Sequence, residues 1–168
     1  MPKFFAYIVS SIDGVIATNS KTLPNWASRE DWEHLQKSLK SCDAFVMGKN
    51  TFMATEKLPR RNNTFVLTNR IKSIKTQGEI TFINPKGKDL KQLLGKFKKV
   101  AVLGGAKTYE YMLNNKMIDE IFLTIEPIVL GRGIKIFADE TKPTKLKLIS
   151  TRRLNGRGTV LLHYKISA

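Results

Sequence analysis

Short apolar runs alternate with amphipathic stretches along this chain of 168 residues. The apolar runs are typical of buried strands, and they lie at residues 4–9, 44–47, 64–68, 80–83, 100–103 and 121–125. Helical spacing begins after Ser28, which opens a capping pattern, and recurs near residue 50 and over 89–97 and 107–115. Residues 10–24 are predicted to form a loop, because they contain Gly14, Asn19, Ser20 and Pro24. The pattern predicts strands that alternate with helices.

The C-terminal part of the chain departs from this alternation. Residues 145–150 and 159–166 are predicted to form two strands, with Asn155-Gly156-Arg157-Gly158 as the connection between them. Strands joined in this way pair antiparallel, whereas alternating strands and helices build parallel sheets. We therefore predict an α/β fold, organised as one domain over residues 1–168. Its mixed, mostly parallel sheet ends in an antiparallel hairpin and is covered by helices on both faces, which makes three layers.

Composition changes this picture little, but the charge raises a second hypothesis. Hydrophobic residues make up 42% of the chain and charged residues 26%, an ordinary globular balance. The net charge is +15, which favours polyanionic partners, yet the basic residues are scattered and no nucleic-acid-binding motif accompanies them. Nucleic-acid binding is thus the non-enzymatic alternative. With one cysteine, Cys42, no signal-like N-terminus and no apolar stretch of membrane-spanning length, we expect a cytoplasmic protein.

Two glycine-bearing turns follow predicted strands and precede predicted helices. Gly48 is followed by Lys49 and Thr51, and the pair Gly104 and Gly105 repeats this arrangement one unit later. Glycine lets the backbone approach a ligand closely, and a helix N-terminus attracts anions. The two turns could hold the two ends of a dinucleotide, or they could be plain strand-to-helix connections. Residues 68–70, Thr-Asn-Arg, end another strand with groups suited to a ribose phosphate.

An ordered set of motifs resembles the dihydrofolate reductase superfamily, which includes the reductase domain of riboflavin biosynthesis. The motifs are Ser-Ile-Asp-Gly-Val-Ile-Ala at 11–17, Met-Gly-Lys-Asn-Thr-Phe at 47–52, Val-Leu-Thr-Asn-Arg at 66–70, Leu-Gly-Gly-Ala-Lys-Thr-Tyr at 103–109 and Leu-Thr at 123–124. The likeness extends from the first predicted strand to the closing hairpin. It implies a dihydrofolate reductase-like fold and an NADPH-dependent oxidoreductase.

The resemblance also implies where NADPH would bind. Gly48, Lys49 and Thr51 would bind the pyrophosphate. Thr68, Asn69 and Arg70 would bind the 2′-phosphate of the adenosine ribose. The remaining implied cofactor contacts come from the glycine-pair motif and from backbone beside the nicotinamide: Leu103, Gly104, Gly105, Ala106, Lys107, Tyr109, Val9 and Ala17. In the family a cis peptide often joins the two glycines.

The implied catalytic acid is Asp31, on the first predicted helix. Its alternative role is to cap that helix, and Glu30 is its nearest competitor. Thr124 matches the threonine that hydrogen-bonds this acid and the ring. Leu35, one turn after Asp31, would pack on the substrate ring. Phe52 and Trp26 are further wall candidates, with ordinary core packing as the equal alternative for both. His34 and His163 lack a partner pattern, so we assign neither of them a role and predict no metal site.

The substrate motifs divide between two branches of the superfamily. Leu-Pro-Arg-Arg at 58–61 and Tyr109 after the glycine pair resemble dihydrofolate reductases, in which Arg61 would hold the glutamate tail. Residues 127–133 and 11–14 resemble the riboflavin branch instead. Dihydrofolate is therefore the first hypothesis, with reduction to tetrahydrofolate in one-carbon metabolism. A 5-amino-6-(5-phosphoribosylamino)uracil reductase-like pyrimidine reductase is the second, and a reductase of another ring is the third. A monomer and a homodimer both remain open.

Overall fold

The computed structural model describes residues 1–56, 60–87 and 89–167. The strands are β1 Lys3–Ser10, β2 Val15–Ala17, β3 Ala44–Gly48, β4 Thr64–Leu67, β5 Ile74–Gln77, β6 Ile80–Ile83, β7 Lys99–Val102, β8 Glu120–Ile125, β9 Ile134–Lys135, β10 Leu146–Arg153 and β11 Val160–Ile166. The helices are α1 Arg29–Leu39, α2 Lys49–Ala54, α3 Leu90–Leu94 and α4 Ala106–Asn114.

Nine of the described strands form one mixed sheet in the order β10-β11-β8-β1-β7-β3-β4-β6-β5. The central pairs, from β8 through β1, β7, β3 and β4 to β6, are parallel. Antiparallel pairs close both edges, with β10 and β11 beyond β8 and β5 beyond β6. The predicted α/β class, the mostly parallel sheet and the antiparallel C-terminal hairpin are confirmed.

The two faces of the sheet are packed by different helices. In β1 the buried residues alternate along the strand, and Phe4, Ala6 and Ile8 join a core with Leu94 of α3 and Met112 of α4. On the opposite face a second core contains Phe45 and Met47 of β3, Leu39 of α1 and Phe52 of α2. This alternation follows from the period of two in a strand, and it gives the three predicted layers.

Several local predictions were wrong. The predicted loop 10–24 contains β2, which pairs with β9, and neither this pair nor β5 was expected. These strands are only two to four residues long, and β5 is exposed throughout, so they lack an apolar pattern. Helix α3 is shorter than predicted because Gly95 follows it.

Candidate active site

A cleft of about 1800 Å³ opens where the parallel strands end. All the residues that the sequence assigns to NADPH or to the substrate lie on its wall: Val9, Ala17, Asp31, Leu35, Gly48, Lys49, Thr51, Phe52, Arg61, Thr68, Asn69, Arg70, Leu103, Gly104, Gly105, Ala106, Lys107, Tyr109 and Thr124. The further wall candidate Trp26 does not line the cleft, although its neighbours Asn25 and Ala27 do. The carboxyl ends of parallel strands are the usual place for a ligand in such sheets.

The two glycine turns face each other across the floor of the cleft. The backbone N–H of Gly48 donates a hydrogen bond of 2.7 Å to the carbonyl oxygen of Gly104. A Cβ at Gly48 would lie 2.8 Å from the Thr108 hydroxyl, and a Cβ at Gly105 would lie 3.7 Å from the Thr51 hydroxyl. Gly104 and Gly105 are joined by a cis peptide, as the resemblance implied, and Gly104 has a φ of +102°. The two turns therefore form one continuous backbone surface.

Tyr109 supports this surface from below. Its hydroxyl donates a hydrogen bond of 2.6 Å to the carbonyl oxygen of Tyr7. The same hydroxyl would lie 3.2 Å from a Cβ at Gly104, so the phenol fills the space under the positive-φ glycine. Burial raises the pKa of Tyr109, with a smaller contribution from the Asp31 carboxylate, and keeps the phenol neutral. Its hydroxyl hydrogen is used inside the protein, so Tyr109 shapes the turn rather than donating to a ligand.

Cationic side chains surround the outer part of the glycine surface. The Thr68 hydroxyl accepts a hydrogen bond of 3.2 Å from the backbone N–H of Arg70, which makes a tight turn at the end of β4. Asn69 and Arg70 are exposed beside it. In the described part of the chain, neither Arg70 nor Lys49 forms an ion pair with a carboxylate. Their charges are available to an anionic ligand.

Asp31 lies at the opposite, inner end of the cleft and is 8% exposed. Its backbone N–H donates to the Ser28 hydroxyl over 3.2 Å, so the predicted helix-capping geometry is present as well. Burial is the main cause that raises the pKa of Asp31 to about 6. A hydrogen bond with Thr124 opposes this shift, and the Glu126 charge adds to it. This pKa allows Asp31 to hold or release a proton near neutral pH.

Glu30, the competitor for this role, lies outside the cleft wall. Its carboxylate accepts a hydrogen bond of 3.3 Å from Asn155 and lies 3.5 Å from Arg157. The hydrogen bond to its own backbone N–H is the largest cause that lowers its pKa, followed by the bond from Asn155. The geometry therefore favours Asp31 over Glu30 as the acid of the cleft.

Apolar side chains form the wall of the cleft between Asp31 and the two arginines Arg60 and Arg61. Leu35 follows Asp31 by one turn of α1, and with Leu103 it packs against the core that contains Phe52. The Phe52 ring meets Phe82 edge-on, with the ring centroids 5.5 Å apart. A flat heterocycle whose polar edge meets Asp31 would fit such a wall.

Arg61 and Arg60 stand at the outer end of this wall. The Arg61 guanidinium donates a hydrogen bond of 2.6 Å to Gln36 of α1 and lies 5.3 Å from the centre of the Phe45 ring. Arg60 lies 4.0 Å above the Phe52 ring. Leu58 and Pro59, which belong to the predicted substrate motif, lie outside the described residues. Two arginines held against aromatic faces suit the anionic end of a substrate.

Comparison with known proteins identifies the family. The model of the RibD C-terminal domain matches residues 61–161, more than half of the chain. The chain belongs to the RibD C-terminal domain family. It therefore lies within the dihydrofolate reductase superfamily, as its motifs indicated.

Three relatives of this RibD C-terminal domain illustrate the range of the family. Uncharacterized protein YwjB of Bacillus subtilis (strain 168) is 28% identical over 172 residues, covering 96% of this chain and 97% of that protein. A dihydrofolate reductase of Ureaplasma parvum serovar 3 is 30% identical over 129 residues, covering 77% and 73%. The structure of a pyrimidine reductase-like protein from Corynebacterium diphtheriae has the same fold, with a TM-score of 0.77, 18% identity and coverage of 99% and 92%.

Two features of this protein were not predicted from its sequence. One is Glu126, a buried carboxylate two residues after Thr124, which no motif marked. The other is a two-loop roof over the cleft, in which β2 pairs with β9 and Asp13 accepts backbone hydrogen bonds from Leu130 and Gly131 at 3.1 and 2.7 Å. The two loops coincide with the motifs at 11–17 and 127–133, but the sequence does not show that these two segments contact each other.

Removing the Asp13 charge is expected to loosen this roof. The Ser11 side chain is the largest cause that lowers the pKa of Asp13 to about 2, followed by the N–H groups of Leu130 and Gly131. A depressed pKa means that the stabilisation is present above the ordinary value of 3.8 and is lost as pH falls through about 2. In Asp13→Asn, hydrogen exchange at the Leu130 and Gly131 amides should become about tenfold faster.

The control is Asp139→Asn, because the exposed Asp139 carboxylate makes no hydrogen bond within the described residues. It should leave exchange at Leu130 and Gly131 unchanged. Unchanged exchange in Asp13→Asn would show that the roof does not depend on this carboxylate.

Two other kinds of functional feature are absent from the residues that the structure describes. There, no group of three or more His, Cys, Asp and Glu side chains could hold a metal ion. Nor does the described chain contain a helix that is long and apolar enough to cross a membrane.

Proposed function

We propose that this protein is an NADPH-dependent reductase that transfers hydride to C1′ of the ribosyl group of a phosphoribosylaminopyrimidine. The observation that carries the proposal is one cleft with paired glycine turns at its outer floor and the buried acid Asp31 at its inner end. Membership in a family with reductases among its relatives supports an oxidoreductase.

The glycine surface fits the diphosphate of such a cofactor. Glycine at position 48 lets the two turns pack closely, because a Cβ there would lie 2.8 Å from the Thr108 hydroxyl. The nearest atom to a Cβ at Gly105 is the Thr51 hydroxyl at 3.7 Å, so the Gly105 backbone is open to a close ligand. Lys49 and Arg70 would contribute positive charge, and the net charge of +15 would attract an anionic cofactor over longer distances. NADPH, when bound, supplies the hydride. The protein supplies position, exclusion of water and the proton.

Asp31 would supply or relay that proton. A carboxylate that is buried beside the Thr124 hydroxyl can accept hydrogen bonds from the N–H edge of a heterocycle. With a pKa of about 6, a fraction of Asp31 is protonated at neutral pH. This favours protonation of the exocyclic imine nitrogen of the ring-opened ribosyl group, as hydride arrives at its carbon C1′. Thr124 would orient both groups.

A pyrimidine is now the first substrate hypothesis, in place of dihydrofolate. The match to the RibD C-terminal domain and the fold of the pyrimidine reductase-like protein favour a substrate like 5-amino-6-(5-phosphoribosylamino)uracil. Its phosphate would meet Arg60 and Arg61. Dihydrofolate stays as the second candidate, because a dihydrofolate reductase is 30% identical over most of this chain and Arg61 could hold a tail carboxylate instead.

An assay with purified protein tests the proposal directly. Oxidation of NADPH is followed by absorbance, with 5-amino-6-(5-phosphoribosylamino)uracil and dihydrofolate tested as separate substrates. We expect turnover with the pyrimidine at a kcat/KM well above that for dihydrofolate. Turnover with dihydrofolate alone would restore the first sequence-based hypothesis. Absence of NADPH binding together with tight, salt-sensitive RNA binding would contradict the reductase altogether.

Arg70→Ala should reduce the preference for NADPH over NADH. The exposed Arg70 guanidinium, unpaired in the described part of the chain, is suited to a 2′-phosphate that NADH lacks. We expect the Kd for NADPH to rise about tenfold to a hundredfold, with little change for NADH. Titration of each cofactor by fluorescence measures both constants. Arg132→Ala, at an exposed arginine away from the cleft wall, is the matched control. Equal losses for both cofactors would contradict this role.

A further inference from the structure

Glu126 is a buried carboxylate that the proposed chemistry does not yet use. It follows β8 and is 3% exposed, and in the described residues no basic side chain forms an ion pair with it. Removing a carboxylate from water is costly unless hydrogen bonds or a counter-charge compensate for it. The hydrogen bonds of Glu126 therefore indicate what the group does.

Each oxygen of Glu126 accepts one short hydrogen bond. The backbone N–H of Ser28 donates to Oε1 over 2.7 Å, and the Thr159 hydroxyl donates to Oε2 over 2.6 Å. The backbone N–H of Glu126 itself donates to the Ser10 carbonyl oxygen over 2.8 Å. One residue thus joins the end of β1, the start of α1 and the loop that precedes β11.

The contact with Ser28 connects Glu126 to Asp31. Ser28 is the N-cap of α1, and its hydroxyl accepts the hydrogen bond from the Asp31 backbone N–H. Ser28 is held at its N–H by Glu126 and at its side chain by the first turn of α1. Thr124, the side-chain partner of Asp31, lies only two residues before Glu126. The contact of Asp31 with Thr124 and its connection to Glu126 through Ser28 therefore both come from the C-terminal end of β8.

We infer that Glu126 is a positioning residue for the proposed reduction, because it fixes the first turn of α1 and thereby the place of the Asp31 carboxylate in the cleft. The inference rests on the proposed function, in which Asp31 handles the proton. Glu126 also acts through its charge, because a second negative group near Asp31 favours the protonated form of Asp31. The phenol of Tyr109 on α4 is a further titratable group near Asp31, because the Asp31 charge adds to the rise of its pKa, and burial keeps this phenol neutral.

Glu126→Gln separates charge from shape. The amide oxygen can still accept from the Ser28 N–H, so the connection to α1 remains while the charge is lost. At the other end the NH₂ group can only donate to the Thr159 oxygen, so the Thr159 hydroxyl loses its acceptor. Carbon NMR of the carboxyl-labelled full-length protein follows the titration of Asp31, and Asp31→Asn assigns the signal. We expect Asp31 to titrate at lower pH in Glu126→Gln. Glu79→Gln, at an exposed glutamate away from the cleft wall, should leave the titration unchanged. An Asp31 titration at the wild-type pH in Glu126→Gln would overturn the charge effect.

Glu126→Asp provides the complementary test, because it keeps the charge but is too short by one methylene to reach both donors. We expect kcat to fall about tenfold with the KM for NADPH unchanged, and the Asp31 titration to stay closer to wild type than in Glu126→Gln. Hydrogen exchange at the Ser28 and Asp31 amides should become faster. A wild-type kcat and wild-type exchange in Glu126→Asp would overturn the positioning role.

These readouts also separate the inference from the proposed function. If the wild-type protein reduces neither candidate substrate, the proposed function fails, while the NMR titration and amide exchange still decide what Glu126 does. If wild type turns over and both Glu126 variants behave like it in every readout, the inference alone fails.

Discussion

Asp31→Asn is expected to abolish most turnover and, at neutral pH, to make the protein more stable. The rate should fall about a hundredfold or more, because asparagine cannot supply a proton and a positioned acid typically contributes a factor of about 10²–10⁴. The NADPH Kd should change little, since the partners of Asp31 are Ser28 and Thr124 and not the glycine turns. Steady-state assays and cofactor titration measure these two effects separately.

The stability gain follows from the sign of the Asp31 pKa shift. Its folded pKa of about 6 lies above the ordinary value of 3.8, so the folded protein binds this proton more tightly than the unfolded chain does. Stability is therefore lost as pH rises from about 4 through about 6, and the ionised group costs up to about 3 kcal/mol above that range. Asparagine avoids this cost and should add about 1–3 kcal/mol at pH about 7.5. The gain should become small at pH about 3.5, where Asp31 is mostly protonated in both the folded and the unfolded state.

Glu30→Gln is the matched control in the same turn of α1. Its pKa is lowered rather than raised, so its charge stabilises the folded state above the ordinary pKa of 4.5. The variant should keep turnover and should not gain stability at neutral pH. Urea unfolding at the two pH values measures the differences. A fully active Asp31→Asn protein, or one that is stabilised equally at both pH values, would contradict the assignment of Asp31.

Gly48→Ala is expected to weaken NADPH binding strongly. The new Cβ would lie 2.8 Å from the Thr108 hydroxyl and 3.7 Å from the Gly104 carbonyl oxygen, so it would occupy the junction of the two turns and displace buried Thr108. We expect the Kd for NADPH to rise about tenfold to a hundredfold, equivalent to about 1.4–2.7 kcal/mol. Because the loss arises at the diphosphate, NADH should be affected to the same extent.

Gly156→Ala is the matched control, because it replaces a glycine by alanine at a position where the added Cβ contacts no other atom. A Cβ at Gly156 meets no atom within 4 Å, and its position in the hairpin connection is away from the cleft wall. NADPH affinity should be unchanged in this variant. If Gly48→Ala bound NADPH with wild-type affinity while remaining folded, the glycine surface could not be the diphosphate site.

The main frame of the fold was predictable because each central strand carries a continuous apolar run. Those runs reflect strands buried on both faces, as in β3 and β4, where almost every residue is buried. By contrast, β5 has only exposed residues, and β2 and β9 are held by pairing with each other rather than by an apolar pattern. Backbone pairing over two or three residues leaves no periodic signal in the sequence.

The candidate site divides in the same way. Gly48 and Gly104 were predicted from local chemistry, because glycine after a strand frees the backbone. Asp31 was predicted from the resemblance, because an acid in the first turn of a helix by itself indicates only a cap. Glu126 was not found, because its partners lie 98 and 33 positions away in the sequence and only the folded sheet brings them together. For Trp26 the sequence left the cleft wall and core packing as equal alternatives, since aromatic character alone does not give direction, and Trp26 does not line the cleft.

Titration of the wild-type protein with NADPH, followed by energy transfer from tryptophan to the nicotinamide, is the most direct test of the cleft. We predict saturable, stoichiometric binding that is weaker for NADH, weakened by Gly48→Ala and unaffected by Gly156→Ala. Binding that fails to saturate, or that is equally tight in both glycine variants, would contradict the assignment of the cleft to a dinucleotide.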